Sequence, residues 1–237
     1  MGVAPDAPRV THRFFVEPEA MAGDRFPLPA TIAHQVTRVL RLHDGERLML
    51  LDGAGQAITV RLADGSCVVE SRAAAGGEPR HRLTVWQALL RGDRLEPVIR
   101  HGTEIGIVEF RLFVAERCVA RDLSPRKLER LRSVAREAAE QSERGIVPAV
   151  EAPAPYANAL ASPSVLLFER HAGRRLSDLE PPLGLVIGPE GGFAPDEVAA
   201  AERAGMPVAG LGPRILRSET VAVAAAAVVL SRTGDFA

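Results

Sequence analysis

Short apolar runs separated by Asp-Gly pairs fill the first third of the chain. His12–Val16 (HRFFV), Arg47–Asp52 (RLMLLD), Ala57–Leu62 (AITVRL) and Cys67–Arg72 (CVVESR) have strand composition. Asp44-Gly45, Asp52-Gly53 and Asp64-Gly65 supply the turns around them. One helical period interrupts the series: Ile32, Val36, Val39 and Leu40 share a face of a helix predicted from Thr31 to about Leu40. Several short strands at such spacing predict a small β-barrel. Ala73–Pro79 (AAAGGEP) then combines small residues with two glycines and a proline, the chemistry of a linker. The pattern thus divides the chain into a β domain over 1–72, a linker over 73–80 and a second domain over 81–237.

In the second domain the rhythm changes to strand–helix alternation. Arg82–Leu89, Ile107–Val114, Ser164–Glu169, Leu183–Gly188 and Pro207–Gly212 read as strands. Helices are predicted from about Asp93 to Ile105, after Ser124-Pro125 (an N-cap followed by an N1 proline), and over Asp196–Ala204 between Pro195 and Gly205. The long helix after Pro125 turns Leu128, Leu131, Val134, Ala135, Ala138 and Ala139 inward. A last helix, predicted to be capped by Ser218, is apolar on nearly every side. Such alternation predicts a mainly parallel α/β sheet.

Composition changes this picture little. The 237 residues are 46% hydrophobic and 25% charged, with 29 basic against 30 acidic side chains. A net charge of -1 leaves any polyanion to be held by a local patch. Lys127 is the only lysine, a bias toward arginine that an Ala-, Gly- and Pro-rich composition also explains. Val221–Leu230, the longest apolar run, is half of a bilayer span, and MGVAPDAPRV at the N-terminus has no apolar signal core. Cys67 and Cys118 lie far apart with no His or Cys at metal-ligand spacing. These features predict a cytoplasmic protein with no metal, no membrane span and no disulfide framework.

Two long glycine loops follow the last two strands. The first is Gly188-Pro189-Glu190-Gly191-Gly192-Phe193; the second runs from Gly210 to Thr220. Ligands of open α/β sheets bind beyond the carboxyl ends of strands, so both loops belong to one pocket. Neither matches a dinucleotide or P-loop fingerprint, and Glu190 would repel a phosphate. A neutral or cationic ligand read by main-chain groups is the better fit, and S-adenosylmethionine, with its sulfonium, has that chemistry.

The segments LGLVIGPEGGF (Leu183–Phe193) and LGPRILRSETVAVAA (Leu211–Ala225) resemble the C-terminal signature of the SPOUT RNA methyltransferases. More closely, the chain is similar to the 16S ribosomal RNA (uridine-N3) methyltransferase family. HRFFV, HQVTRVLRL (His34–Leu42), GDRLEPVIRHGTEIGI (Gly92–Ile107), ERCVAR (Glu116–Arg121) and REAAEQSER (Arg136–Arg144) fall in that family's order, so the likeness covers almost the whole chain. It implies a PUA-like barrel for RNA, a C-terminal α/β domain tied in a trefoil knot, a homodimer, S-adenosyl-L-methionine as cofactor and 16S rRNA of the small subunit as substrate. The chain departs from the pattern at Glu143, where the family commonly has glycine, and in the helix from Gly92, where Arg94, Arg100 and His101 stand in place of its usual lysines.

The resemblance also distributes roles. Arg144 would position phosphate or base, Glu140 would orient it or accept a proton, and Arg217 would approach the uridine. By spacing alone Glu140 and Arg144 form an i,i+4 ion pair on a solvated helix face. Cofactor contacts are expected from Ile187, Gly188, Gly192, Leu211, Gly212, Ile215 and Leu216, with Phe168 and Glu169 as the opposite wall. Glu190 is expected to touch ligand or to brace its loop, and Glu219 to accompany either the helix dipole or the sulfonium. For RNA the best patch is His12, Arg13, Arg38 and Arg41, the last two projecting together from a helix end. Two alternatives stay open: a related knotted methyltransferase acting on another RNA nucleotide, and a noncatalytic RNA-binding protein of the same fold.

Overall fold

The computed structural model describes residues 12–169 and 173–236; the N-terminal decapeptide read for a signal core lies outside them. The chain forms two compact units, one running to Gly77 and taking in Glu143–Val147, the other comprising Glu78–Ser142 and Pro148–Ala237.

The first unit is a five-stranded sheet in the order β1 (Arg13–Phe15), β3 (Arg47–Leu51), β4 (Gln56–Ala63), β5 (Ser66–Ala74) and β2 (Arg25–Pro27). The pair β1–β3 is parallel and the rest are antiparallel. The alternation read from the sequence is the buried one: Leu48 and Leu50 of β3 and Ile58, Val60 and Leu62 of β4 enclose a core with Phe14, Phe26, Ile32 and Val36. Two expectations need correction. First, β5 continues through Ala74, into the stretch read as linker. Second, the single helix over Thr31–Leu40 is a short α-helix, α1 (Ala30–His34), followed by a π turn over Gln35–Val39. The amide of Leu40 donates to the carbonyl of Gln35, five residues back. This wider turn rotates Val39 off the face of Ile32 and Val36, leaving it 63% exposed. Arg41 follows in a left-handed conformation, φ 55°, so Arg38 and Arg41 are exposed but do not share a helix face.

The second unit is a six-stranded, all-parallel sheet. Its strands are β6 (Thr84–Ala88), β7 (Glu109–Val114), β8 (Ala149–Pro155), β9 (Ser164–Leu167), β10 (Gly184–Ile187) and β11 (Val208–Ala209), in spatial order β11-β9-β10-β6-β7-β8. The central strands β6, β9 and β10 are almost wholly buried, as sheets covered on both faces require. Helices α2 (Leu95–Ile105), α3 (Pro125–Gln141), α4 (Tyr156–Leu160), α5 (Pro195–Arg203) and α6 (Ser218–Arg232) complete the unit. The N-cap of α3 is as read: the Ser124 hydroxyl accepts from the Lys127 amide at 3.3 Å, with Pro125 at the first helical position. Leu131, Val134, Ala135, Ala138 and Ala139 are its buried face. Ser218, by contrast, is not a cap; Arg217 holds that position and Ser218 is the first residue of α6.

The α3 helix stops at Gln141, and Glu143 turns left-handed at φ 60°. That φ also accounts for glycine at this position in the resembled family. A non-glycine residue there costs about 1–2 kcal/mol. Glu143 recovers part of this cost: Arg13 donates to its carbonyl at 2.9 Å and faces its carboxylate at 3.6 Å. Glu143→Gly keeps the carbonyl contact and removes only a surface ion pair. It is expected to raise unfolding free energy by about 0.5–1 kcal/mol, read by denaturant titration of both proteins.

Candidate functional site

Strands β9, β10 and β11 end side by side, and the segments that leave them enclose one cavity of about 560 Å³ in the second unit. Phe168 and Glu169 follow β9; Ile187 and the Gly188–Phe193 loop end β10; Leu211–Arg217 link β11 to α6, whose Ser218, Glu219 and Val221 complete the lining. Each of these edges is short and apolar until its last residue, where the chain breaks into glycine-rich turns. A parallel sheet thus presents several backbone loops to one ligand.

All eleven residues expected to contact cofactor line this cavity: Phe168, Glu169, Ile187, Gly188, Glu190, Gly192, Leu211, Gly212, Ile215, Leu216 and Glu219. Arg217 lines it as well. Glu140 and Arg144 are absent from the lining, and Arg144 lies in the Glu143–Val147 segment of the first unit, only 2% exposed. Of the RNA candidates, Arg13 is engaged by Glu143, His12 is half-buried, and Arg38 and Arg41 are exposed.

Charge around the cavity is divided between Arg94, Arg214 and Arg217 and three glutamates. Glu190 braces: its carboxylate accepts from the Arg91 amide at 3.0 Å and from Arg94 at 3.5 Å, tying the first glycine loop to the turn before α2. Glu219 is different, because one carboxylate oxygen is buried without a hydrogen-bond partner among the described residues. An orphaned anionic oxygen in a cavity costs free energy that a cationic ligand would return. The volume lies in the range that encloses small-molecule cofactors. Together with main-chain groups at Gly188, Gly192 and Gly212, this donor and acceptor set fits an adenosyl sulfonium and does not fit a polyphosphate.

Beneath the first loop, Phe193 stacks on Phe113 at a centroid distance of 6.4 Å, and Phe113 stacks on Tyr156 at 5.6 Å. The Glu197 carboxylate accepts from the Ala194 and Glu116 amides at 2.9 and 2.8 Å, fixing the start of α5. The Tyr156 hydroxyl is spent on the Glu197 carbonyl at 3.1 Å, and burial with the Glu197 charge raises its pKa. Both cysteines are buried; burial pushes the Cys67 thiol up to about 11 and also raises that of Cys118, so neither is an activated nucleophile. Among the described residues no group of three or more His, Cys, Asp or Glu could hold a metal ion, and no helix is long and apolar enough to cross a membrane.

Sequence reasoning missed Arg94, which reaches the cavity from the turn between β6 and α2, and Ser218, which it assigned to capping. It also passed over Gln87, a polar residue between the apolar Trp86 and Ala88 of β6, buried at 0% exposure. That break in the apolar pattern was the available signal.

Comparison with known proteins agrees with this geometry. The profile of the RNA methyltransferase domain family matches residues 77–230. The chain is 38% identical over 223 residues to ribosomal RNA small subunit methyltransferase E of Mycobacterium bovis, covering 83% of this chain and 80% of that one. It is 33% identical over 235 residues to the protein of the same name from Synechocystis sp., covering 93% and 77%. The crystal structure of the Neisseria gonorrhoeae protein of that name, bound to S-adenosyl methionine, superposes with a TM-score of 0.84 at 29% identity, covering 95% of this chain and 99% of that one. The fold is accordingly of the SPOUT type with an N-terminal β domain. From sequence, architecture and the loops that build the cavity, the chain belongs to the ribosomal RNA small subunit methyltransferase E family.

Proposed function

We propose that this chain transfers the methyl group of S-adenosyl-L-methionine to N3 of a uridine in 16S rRNA of the small ribosomal subunit. The observation that carries the reading is the cavity between the two glycine loops, with the orphaned Glu219 oxygen in its wall. When bound, the cofactor supplies an electrophilic methyl group on a cationic sulfur. The protein's part is alignment, exclusion of water and stabilisation of charge. Glu219 supplies negative charge inside the cavity, while Ile187, Leu211 and Leu216 offer apolar surface to a flat base. N3 of uridine must lose its proton before attack, and charge then spreads to O2 and O4. Arg217, exposed at the cavity and without an ion pair among the described residues, is suited to meet that charge. Arg38 and Arg41 are proposed to hold RNA phosphate. A homodimer is proposed as the active species, supported by the half-buried apolar residues Val221, Ala224 and Val228 along α6.

The test is a transfer assay with labelled S-adenosylmethionine and small subunits from cells lacking the modification. Label is expected in N3-methyluridine, and Arg38→Glu is expected to weaken RNA binding without changing cofactor affinity. Label in another nucleoside selects a related knotted enzyme, and cofactor binding without transfer selects a noncatalytic RNA binder. Light scattering of the same preparation is expected to give twice 25.3 kDa.

A further inference from the structure

A chain of buried hydrogen bonds runs from the centre of the sheet to the cavity. Gln87 lies on β6 in register with Ile187 of β10, the residue before the first glycine loop. Its side-chain Nε2 donates to the Ser218 hydroxyl at 2.9 Å and to the Ala88 carbonyl at 3.2 Å. The Ser218 hydroxyl in turn donates to the Gly188 carbonyl at 2.6 Å. Gln87 and Ser218 are 0% and 7% exposed.

The direction of every proton in this chain is fixed. Turning the Gln87 amide over would set Oε1 against the Ala88 carbonyl, two acceptors in contact, so Nε2 must face Ala88 and Ser218. Both of its hydrogens are then used. Ser218 has one hydrogen, and because its oxygen already accepts from Gln87, that hydrogen goes to Gly188. The arrangement has a cost: Oε1 of Gln87 is buried with no hydrogen-bond partner among the described residues. A hydrocarbon side chain would pack in this sheet without that penalty.

We propose that Gln87 is a positioning residue for the transferase site, acting through Ser218 to hold the Gly188 end of the first glycine loop against the first turn of α6. Both segments belong to the cavity lining, joined by the Ser218–Gly188 bond, and Gln87 itself does not line it. Spacing between them sets how closely Gly188–Gly192 on one side and Glu219 on the other can grip one ligand. The inference rests on the assignment of this cavity to S-adenosylmethionine.

Calorimetric titration with S-adenosylmethionine tests it on the full-length protein. Gln87→Met and Ser218→Ala are each expected to weaken binding about tenfold, the worth of one buried hydrogen bond, while the double variant loses no more than either single one. Ser218→Thr, which keeps the hydroxyl, is expected to recover most of the affinity that Ser218→Ala loses. Gln87→Glu adds a readout that packing alone would not move. A carboxylate has no hydrogen to give, so Ser218 turns its own toward it and releases Gly188. Affinity should fall at high pH and recover as acidification returns a hydrogen, with the wild-type profile as reference. If a Gln87 variant does not fold, the Ser218→Ala and Ser218→Thr pair decides. Gln87→Met and Ser218→Ala affinities within twofold of wild type, additive losses in the double variant, or a Gln87→Glu pH profile parallel to wild type overturn the proposal while leaving the cofactor assignment intact. Wild-type protein that does not bind S-adenosylmethionine overturns both.

Discussion

Gly192→Val is expected to abolish cofactor binding, by at least about a hundredfold in Kd. Two penalties coincide at this residue. Its φ is 68°, the left-handed region that a β-branched side chain avoids most strongly. A Cβ there would also stand 3.2 Å from one Glu169 carboxylate oxygen. The exposed Glu169 side chain can swing clear of the second contact, whereas the first is relieved only by moving the loop that carries the site. Alanine substitutions separate the two effects. Gly205 has a similar φ of 76° with nothing within 4 Å of its Cβ position, so Gly205→Ala carries the backbone cost alone. Calorimetry is expected to show Gly205→Ala binding normally and Gly192→Ala weakened. Equal affinities for wild type and Gly192→Val would remove the loop from the cofactor site.

The second large effect concerns stability. Arg144 is the largest of the fully buried side chains, and it sits in a five-residue stretch clasped by the first unit. Ile146 bridges to Ala54, and the Val147 amide donates to the Gly53 carbonyl at 3.3 Å. Gly77 approaches so closely that a Cβ would meet the Glu143 carbonyl at 2.5 Å. Truncating a buried, partnered guanidinium strands the groups that bond it, so Arg144→Ala is expected to cost about 3 kcal/mol. Hydrogen exchange should report roughly a hundredfold loss of amide protection in β3–β5, with the fluorescence of Trp86 in the second unit unchanged. Unaltered protection together with a fall in methyl transfer would instead return Arg144 to the catalytic role that the family resemblance implies.

Much of the second unit was legible because its elements are local. Period and punctuation set the strands and α3, and glycine placement marked the two loops that line the cavity. β8 escaped because Pro153 and Pro155 argue against a strand; it occurs at the sheet edge, where a missing amide is tolerated. β2, three residues ending in Pro27, was too short to carry an alternation. The π turn was hidden because its residues still fit a helical period. Arg94 and Gln87 depend on which strands become neighbours, and no local pattern encodes that.

That strand order also bears on biosynthesis. β6 takes β10 as its neighbour on one side, so from Ala88 until Gly184 has been made the nascent half-sheet has an open, apolar flank. Its mate on the far side, β9, is also synthesised before the strand that joins them. Translation therefore leaves a long interval in which two sticky edges coexist, and late closure of this central seam governs how fast the enzyme matures and how readily it clumps when produced in excess.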